Sequence, residues 1–287
     1  MAPDVISDLV AARSAQIIET RRFFHGIPEL GFEENETGQA ITDRLTAAGL
    51  AVERGIGKTG LVAVLEGAKP GPRLMIRADI DGLPVDELTG LDFASTNGRM
   101  HACGHDGHIT MAVTAAEILA GMKDQLAGTL IFVFQPAEEV VMGALAMIDD
   151  GLFEKYPADR VIGTHLWNQI PTGTIGVNRA TVFASADQFR LTVHGKGGHG
   201  AMPHKTIDPV AAIAEIITTA QTVVSREVPP NDMAVVTFGQ IHGGSAPNVI
   251  ADSVTVEGTV RAYTAETRIL ILQSLERIAN NVAAAMR

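Results

Sequence analysis

RLMIRADI, residues Arg73 to Ile80, is the stretch on which the fold turns. Leu74, Met75 and Ile76 are apolar without alternation, and the segment closes on Asp79 and Ile80. A short run with no polar face reads as a strand covered on both sides. LVAVLEG (Leu61 to Gly67), GTLIFVFQ (Gly128 to Gln135) and RVIGTHLW (Arg160 to Trp167) read the same way. Between them lie helical stretches: Gly107 to Met122, and GALAMIDDG (Gly143 to Gly151), which its last glycine stops. Apolar strands interleaved with helices predict an α/β unit on a mostly parallel, helix-covered sheet.

The pattern changes near residue 185. FRLTVHG alternates, with Phe189, Leu191 and Val193 on one face, as a half-exposed strand does. A helix follows over Asp208 to Arg226, then strands at AVVTFGQI (Ala234 to Ile241) and SVTVEGTVRAY (Ser253 to Tyr263), then a helix from Ala265 to the end. The order βαββα is a ferredoxin-like α+β unit lacking its last strand. The expected division is therefore a first unit over residues 1–183 and a smaller one over 184–287.

Composition narrows the function classes. The 287 residues carry a net charge of −11, and Arg21 and Arg22 have acidic neighbours, so a nucleic-acid partner is not expected. Cys103 is the lone cysteine, which excludes a disulfide within the chain and fits a reducing compartment. The amino-terminal stretch has early acidic residues and no uninterrupted apolar core, unlike a secretory signal; Val5, Leu9, Ile17 and Phe24 recur at helical spacing instead. No run approaches the roughly 20 apolar residues that span a bilayer. The expected location is the cytoplasm.

In a parallel sheet, functional groups gather at the carboxyl ends of the strands. Asp79 and Asp81 end one strand, Glu138 and Glu139 follow another, His165 closes a third, and Cys103 and His105 of MHACGHDGH (Met100 to His108) precede a helix. One thiol, two imidazoles and several carboxylates on one rim form the ligand set of zinc or a neighbouring divalent ion. A lone cysteine is as often a small core hydrophobe. Here Gly104 frees the backbone, thiol and imidazole are two residues apart, and a helix N-terminus favours the thiolate. Adjacent side chains in extended backbone point apart, so the glutamates divide naturally into one ligand and one general base. Asp79 and Asp81 could equally cap a turn, and His165 could be a core histidine. His25, His101 and His108 read as structural or supporting. GKGGHGAMPH (Gly195 to His204) and GGSAPNVI (Gly243 to Ile250) are glycine-rich loops, neither of them a phosphate cradle.

Taken together, RRFFHGIPELGFEE (Arg21 to Glu34), RADIDGLP (Arg77 to Pro84), MHACGHDGH, FQPAEE (Phe134 to Glu139), GTHLW (Gly163 to Trp167), GKGGHGAMPH and APNVI resemble a known family. It is the metal-dependent amidohydrolase and peptidase family of aminoacylases, bacterial carboxypeptidases and succinyl-diaminopimelate desuccinylase. The branch most similar is that of hippurate hydrolase, N-acyl-amino-acid amidohydrolases and plant auxin-conjugate hydrolases. The resemblance implies hydrolysis of N-acyl amino acids, hippurate-like or N-acetyl, at a site of two divalent ions (zinc, manganese, cobalt or nickel). It implies Cys103, His105, Glu139 and His165 as ligands, Glu138 as the base and Asp79 as a supporting carboxylate. It also implies a homodimer through the small unit, in which His199 reaches the partner's active site and Asn248 lies in a substrate-contact loop.

One departure is expected to matter. The family's catalytic domain resumes after the small domain and supplies a last histidine ligand, whereas this chain ends at Arg287. The expectation is an incomplete site with weak metal binding and little hydrolysis. Two other readings stay open: a dimerising metal-binding scaffold without catalysis, and a hydrolase that uses Cys103 as nucleophile beside His105 or His165.

Overall fold

The computed structural model describes residues 3–179 and 181–286. The chain divides into two compact units, Met1–Thr172 and Gly173–Arg287. The expected boundary at 183/184 falls within 173–186, which carries no helix or strand among its described residues.

In the first unit, helices α1 (Pro3–Ala12), α2 (Ser14–His25) and α3 (Asn35–Ala47) precede strands β1 (Ala51–Ile56), β2 (Gly60–Glu66) and β3 (Lys69–Asp79). Then come α4 (His105–Ala120), β4 (Ala127–Gln135), the short helices α5 (Gly143–Asp149) and α6 (Leu152–Lys155), and β5 (Arg160–Gly163). The sheet order is β1-β2-β4-β3-β5. β3 runs parallel to both β4 and β5, while β2 is antiparallel to β4 and to β1, so β2 alone opposes the other four. The sheet is thus mostly parallel, as the apolar runs predict. Register brings three strand ends together: Asp79 sits opposite Gln135, and Arg77 opposite Gly163, so β3, β4 and β5 end on one rim.

β4 shows why the sequence reads as it does. Phe132 and Phe134 face a core with Phe24, Ile41, Leu45, Ile109 and Val113, while Ile131 and Val133 face another with Ile56, Met75, Met147 and Leu152. Both faces are covered, so no polar alternation survives. β1 has no such signature in the sequence, because AVERGI is an edge strand in which Glu53 and Arg54 break the apolar run. β5 is shorter than expected: it ends at Gly163, its four residues are exposed, and His165 lies in the loop beyond it.

In the second unit, β6 (Asp187–His194), β7 (Gly198–His199), α7 (Pro209–Thr222), β8 (Ala234–Gly243), β9 (Val249–Ile250), β10 (Ser253–Ala262) and α8 (Ala265–Ala285) follow in order. A three-stranded antiparallel sheet, β6-β10-β8, packs Val254, Val256 and Val260 against Ile213, Ile216, Ile271 and Ile278 of the helices. Phe189, Leu191 and Val193 join this core from β6. Asp208 starts α7 by accepting from the Val210 N–H, with Pro209 in the first turn, and Thr264 accepts from the Thr267 N–H to start α8. The expected end of the last helix, Arg287, lies outside the described residues.

Candidate metal centre

The rim of the first unit collects side chains from four places. α4 begins at His105 behind Gly104, whose φ of 89° is left-handed backbone that favours glycine. That turn puts Cys103 just outside the helix and His105 on its first turn. The His105 Nδ1–H donates to the Asp81 carbonyl at 2.8 Å, which fixes the tautomer and leaves Nε2 facing the rim. His165 is set the same way: its Nδ1–H donates to the Leu166 carbonyl at 2.6 Å, and Nε2 lies 3.4 Å from Cys103 Sγ.

Three groups of donor atoms result, one of them Asp79, His105 and His108, and His105 belongs to all three. Cys103, His105 and His165 offer one atom each, all within 4.8 Å of one another, and so do His105, Glu138 and Glu139. His105 Nε2 stands 3.8 Å from Glu138 Oε2 and 3.9 Å from Glu139 Oε1. His105 Nε2 and Glu139 Oε1 are buried without a hydrogen-bond partner, although buried polar atoms ordinarily have one. Orphaned donor atoms, two fixed imidazole tautomers and a thiol together fit a divalent cation.

The two glutamates depart from expectation. Adjacent side chains were expected to point apart, yet both carboxylates approach the same imidazole nitrogen. The backbone is not extended there: the Val141 N–H donates to the Glu138 carbonyl at 2.8 Å, so residues 138–141 form a turn. Glu138 remains the more open of the two, its side chain 41% exposed against 19% for Glu139.

Asp79 lies behind this layer. Arg77 Nη1 donates to its Oδ2 at 2.6 Å and His108 Nδ1 to its Oδ1 at 2.5 Å. His108 Nε2 in turn accepts the Leu166 N–H at 2.8 Å. The sequence suggests only a supporting place for His108, but both its nitrogens are committed, and it ties β3 to the loop that carries His165. Its spacing of three residues from His105 was the available signal, since i and i+3 share a helix face. A further relay anchors α4 from outside: Asp106 accepts from Arg21 Nε at 3.0 Å and His25 Nδ1 at 2.8 Å, and His25 Nε2 reaches Glu87 at 3.0 Å.

Charge follows this layout. Burial would raise the Asp79 carboxyl, but the His108 hydrogen bond and the His105 and Arg77 charges hold it well below the usual carboxylate range. Burial works against a charged His105, yet the hydrogen bond to Asp81 and the charges of Asp79, Asp81 and Glu139 raise it to about 8. Cys103 goes the other way from expectation: burial, then the charges of Glu139 and Glu138, push its thiol up to about 12. Lost hydration and two carboxylates outweigh the half-charge of a helix end.

His199 and Asn248 lie in the second unit, in loops joined by the β7–β9 pairing. His199 pairs with Val249, and the Gly200 N–H donates to the Asn248 carbonyl at 2.8 Å. His199 is exposed, and its Nδ1 accepts the Ala201 N–H at 3.0 Å, which puts the proton on Nε2.

A mostly parallel α/β sheet whose rim gathers thiol, imidazole and carboxylate donors places the protein in the class of metal-binding α/β proteins. The chain belongs to peptidase family M20/M25/M40, whose model matches residues 75–286. It is 40% identical over 288 residues to an N-acyl-L-amino acid amidohydrolase of Geobacillus stearothermophilus, covering 99% of this chain and 77% of that protein. It is 43% identical over 270 residues to the N-acetyldiaminopimelate deacetylase of Streptococcus sanguinis strain SK36, covering 93% of this chain and 71% of the relative. Among solved structures, a dinuclear metal-binding peptidase of the M20 family from Bacillus subtilis superposes with a TM-score of 0.82 at 36% identity, over 96% of this chain and 72% of the other.

Proposed function

We propose that this chain is a metal-dependent amidohydrolase that cleaves the amide bond of N-acyl amino acids, with N-acetyl compounds ahead of hippurate-like ones. The observation that carries the reading is His105 belonging both to the group of Cys103 and His165 and to the group of Glu138 and Glu139. Two adjoining groups suit a pair of divalent ions held by Cys103, His105, Glu139 and His165, the metal being zinc, manganese, cobalt or nickel. The relatives named for amidohydrolysis and deacetylation support the substrate class.

Bound divalent metal supplies Lewis acidity, which eases deprotonation of water and polarises an amide carbonyl. Glu138, the more exposed carboxylate, takes the proton of the attacking water and passes it to the departing amine nitrogen. Such a base contributes roughly 10²–10⁴-fold. Cys103 serves as a ligand in this scheme. A thiol pushed up to about 12 is a poor nucleophile at neutral pH, which weighs against the covalent alternative. In the second unit, His199 Nε2–H is a donor suited to an oxyanion, and Asn248 to a substrate contact. Both act within a homodimer, where His199 serves the partner's site. The lone cysteine supports a cytoplasmic setting; no helix among the described residues is long and apolar enough to cross a membrane.

The test is Glu138→Gln in the metal-loaded protein with N-acetyl, N-benzoyl and N-succinyl amino acids. Turnover should fall by roughly 10²–10⁴-fold with bound metal unchanged. Loss of metal in its place would exchange the roles of Glu138 and Glu139. Turnover insensitive to chelators would overturn the metal-dependent reading.

A further inference from the structure

The stretch ELGFEE, Glu29 to Glu34, takes no part in the donor groups, yet it contains a fully buried carboxylate. Glu34 has no cation within ion-pair distance among the described residues, and burial raises its carboxyl above the ordinary value. Burying an unpaired carboxylate is costly, so its contacts explain its place. Its Oε1 accepts the Ala137 N–H at 2.8 Å, and its Oε2 accepts the Thr59 hydroxyl.

Ala137 immediately precedes Glu138. It is fully buried and takes φ 49°, left-handed backbone that an alanine adopts at a cost. A second buried carboxylate grips the far side of Glu138: Asp81 Oδ2 accepts the Glu139 N–H at 2.9 Å. The turn is pressed from two sides besides. A Cβ on Gly31 would lie 2.9 Å from Ala137 Cα, and one on Gly143 would lie 1.6 Å from the Pro136 carbonyl oxygen.

Glu34 also stands just before α3, at the position whose side-chain oxygen ordinarily caps a helix. It makes no capping bond. Glu29 takes that task, accepting the N–H groups of Asn35 and Glu36 at 3.1 Å and of Thr37 at 2.8 Å. The motif divides its acidic residues between holding a helix and holding the turn.

We propose that Glu34 is a positioning residue for hydrolysis: through the Ala137 N–H it fixes the strained peptide that aims the Glu138 carboxylate. The proposal rests on Glu138 as the base, so its experiment includes a measurement independent of turnover. In metal-loaded protein, Glu34→Ala should lower kcat about 10–100-fold, the scale of a misplaced catalytic group, with KM and bound metal unchanged. Glu34→Gln should recover most of the rate, since its amide oxygen can accept from Ala137 while its NH₂ donates to Thr59. Hydrogen exchange should show the Ala137 amide protected in the native chain and at least about tenfold faster in Glu34→Ala. If Glu34→Ala does not fold, Glu34→Asp, one methylene short, serves for both measurements.

Unchanged exchange at Ala137, or a kcat within about twofold of the native value, overturns the proposal. Loss of metal with rising KM does so too, because the effect would then not be on the base. A native protein inactive on every acylated amino acid tried would break the hydrolase reading alone, and the exchange measurement would still judge the anchor.

Discussion

The two units bury different kinds of polar group. In the first, eight ionisable side chains among the described residues are buried, from His25 and Glu34 through Asp79, Asp81 and His101 to His105, Asp106 and His108. In the second, the buried polar side chains are Thr206, Thr267 and Ser274, and its ion pairs lie at the surface. Buried charge is unfavourable unless partners compensate it, and the first unit supplies them from several elements at once: Arg77 and His108 for Asp79, Arg21 and His25 for Asp106. Such networks hold donor atoms in place for chemistry. The second unit instead has an apolar core whose buried hydroxyls donate to single groups, Thr206 to the Pro203 carbonyl, Thr267 to Asp232 and Ser274 to Glu227, as suits a scaffold that presents two loops.

This contrast can be broken at three strengths. The strongest test is Ile271→Ala in the second unit, where a fully buried side chain is cut back. It should cost about 2–5 kcal/mol in denaturant unfolding and leave metal uptake by the first unit untouched. If metal uptake falls with it, the two units do not divide the work as described.

The next concerns pH. His105, raised to about 8, and Cys103, pushed up to about 12, both hold protons at neutral pH. A metal that takes both as ligands displaces about two protons, so affinity must rise as pH rises. Below about pH 8 the gain approaches 100-fold per unit, and above it the slope drops to about one proton once His105 is neutral. Calorimetry in buffers of different ionisation heat reads the protons directly. A flat profile between about pH 6 and 8 would remove these two residues as ligands.

The smallest effect belongs to the surface of the second unit. Arg190 Nη2 lies 2.7 Å from Glu257 Oε1, with the side chains 71% and 36% exposed. Arg190→Ala should change stability by less than about 1 kcal/mol, and by less still in high salt. A larger loss would show that charge does structural work in this unit as well.

Legibility in the sequence followed the range of the interactions. β3 and β4 could be read because covering both faces leaves an uninterrupted apolar run, and β6 because covering one face leaves an alternation. β1 could not, since an edge strand interrupted by Glu53 and Arg54 resembles a loop. Cys103, His105, His165 and the glutamate pair stood out by their places at strand ends and beside a helix start. The joint approach of Glu138 and Glu139 to His105 did not. It depends on a turn held by Glu34, 103 residues before Ala137, and by Asp81, 58 residues before Glu139. The bridging place of His108 was hidden for the same reason: Asp79 and the Leu166 N–H arrive from distant parts of the chain.

By itself, then, the sequence determined the strands covered on one or both faces, the change of architecture near residue 185, and the residue types gathered at the rim. Periodicity and strand ends are local properties, and local properties survive in one dimension. Only the tertiary structure decided which lone pair each imidazole presents, that burial and two carboxylates push the Cys103 thiol up, and that both glutamates reach one nitrogen. Those outcomes depend on hydrogen bonds and electrostatic fields between groups distant along the chain, and such fields exist only once the chain has closed on itself.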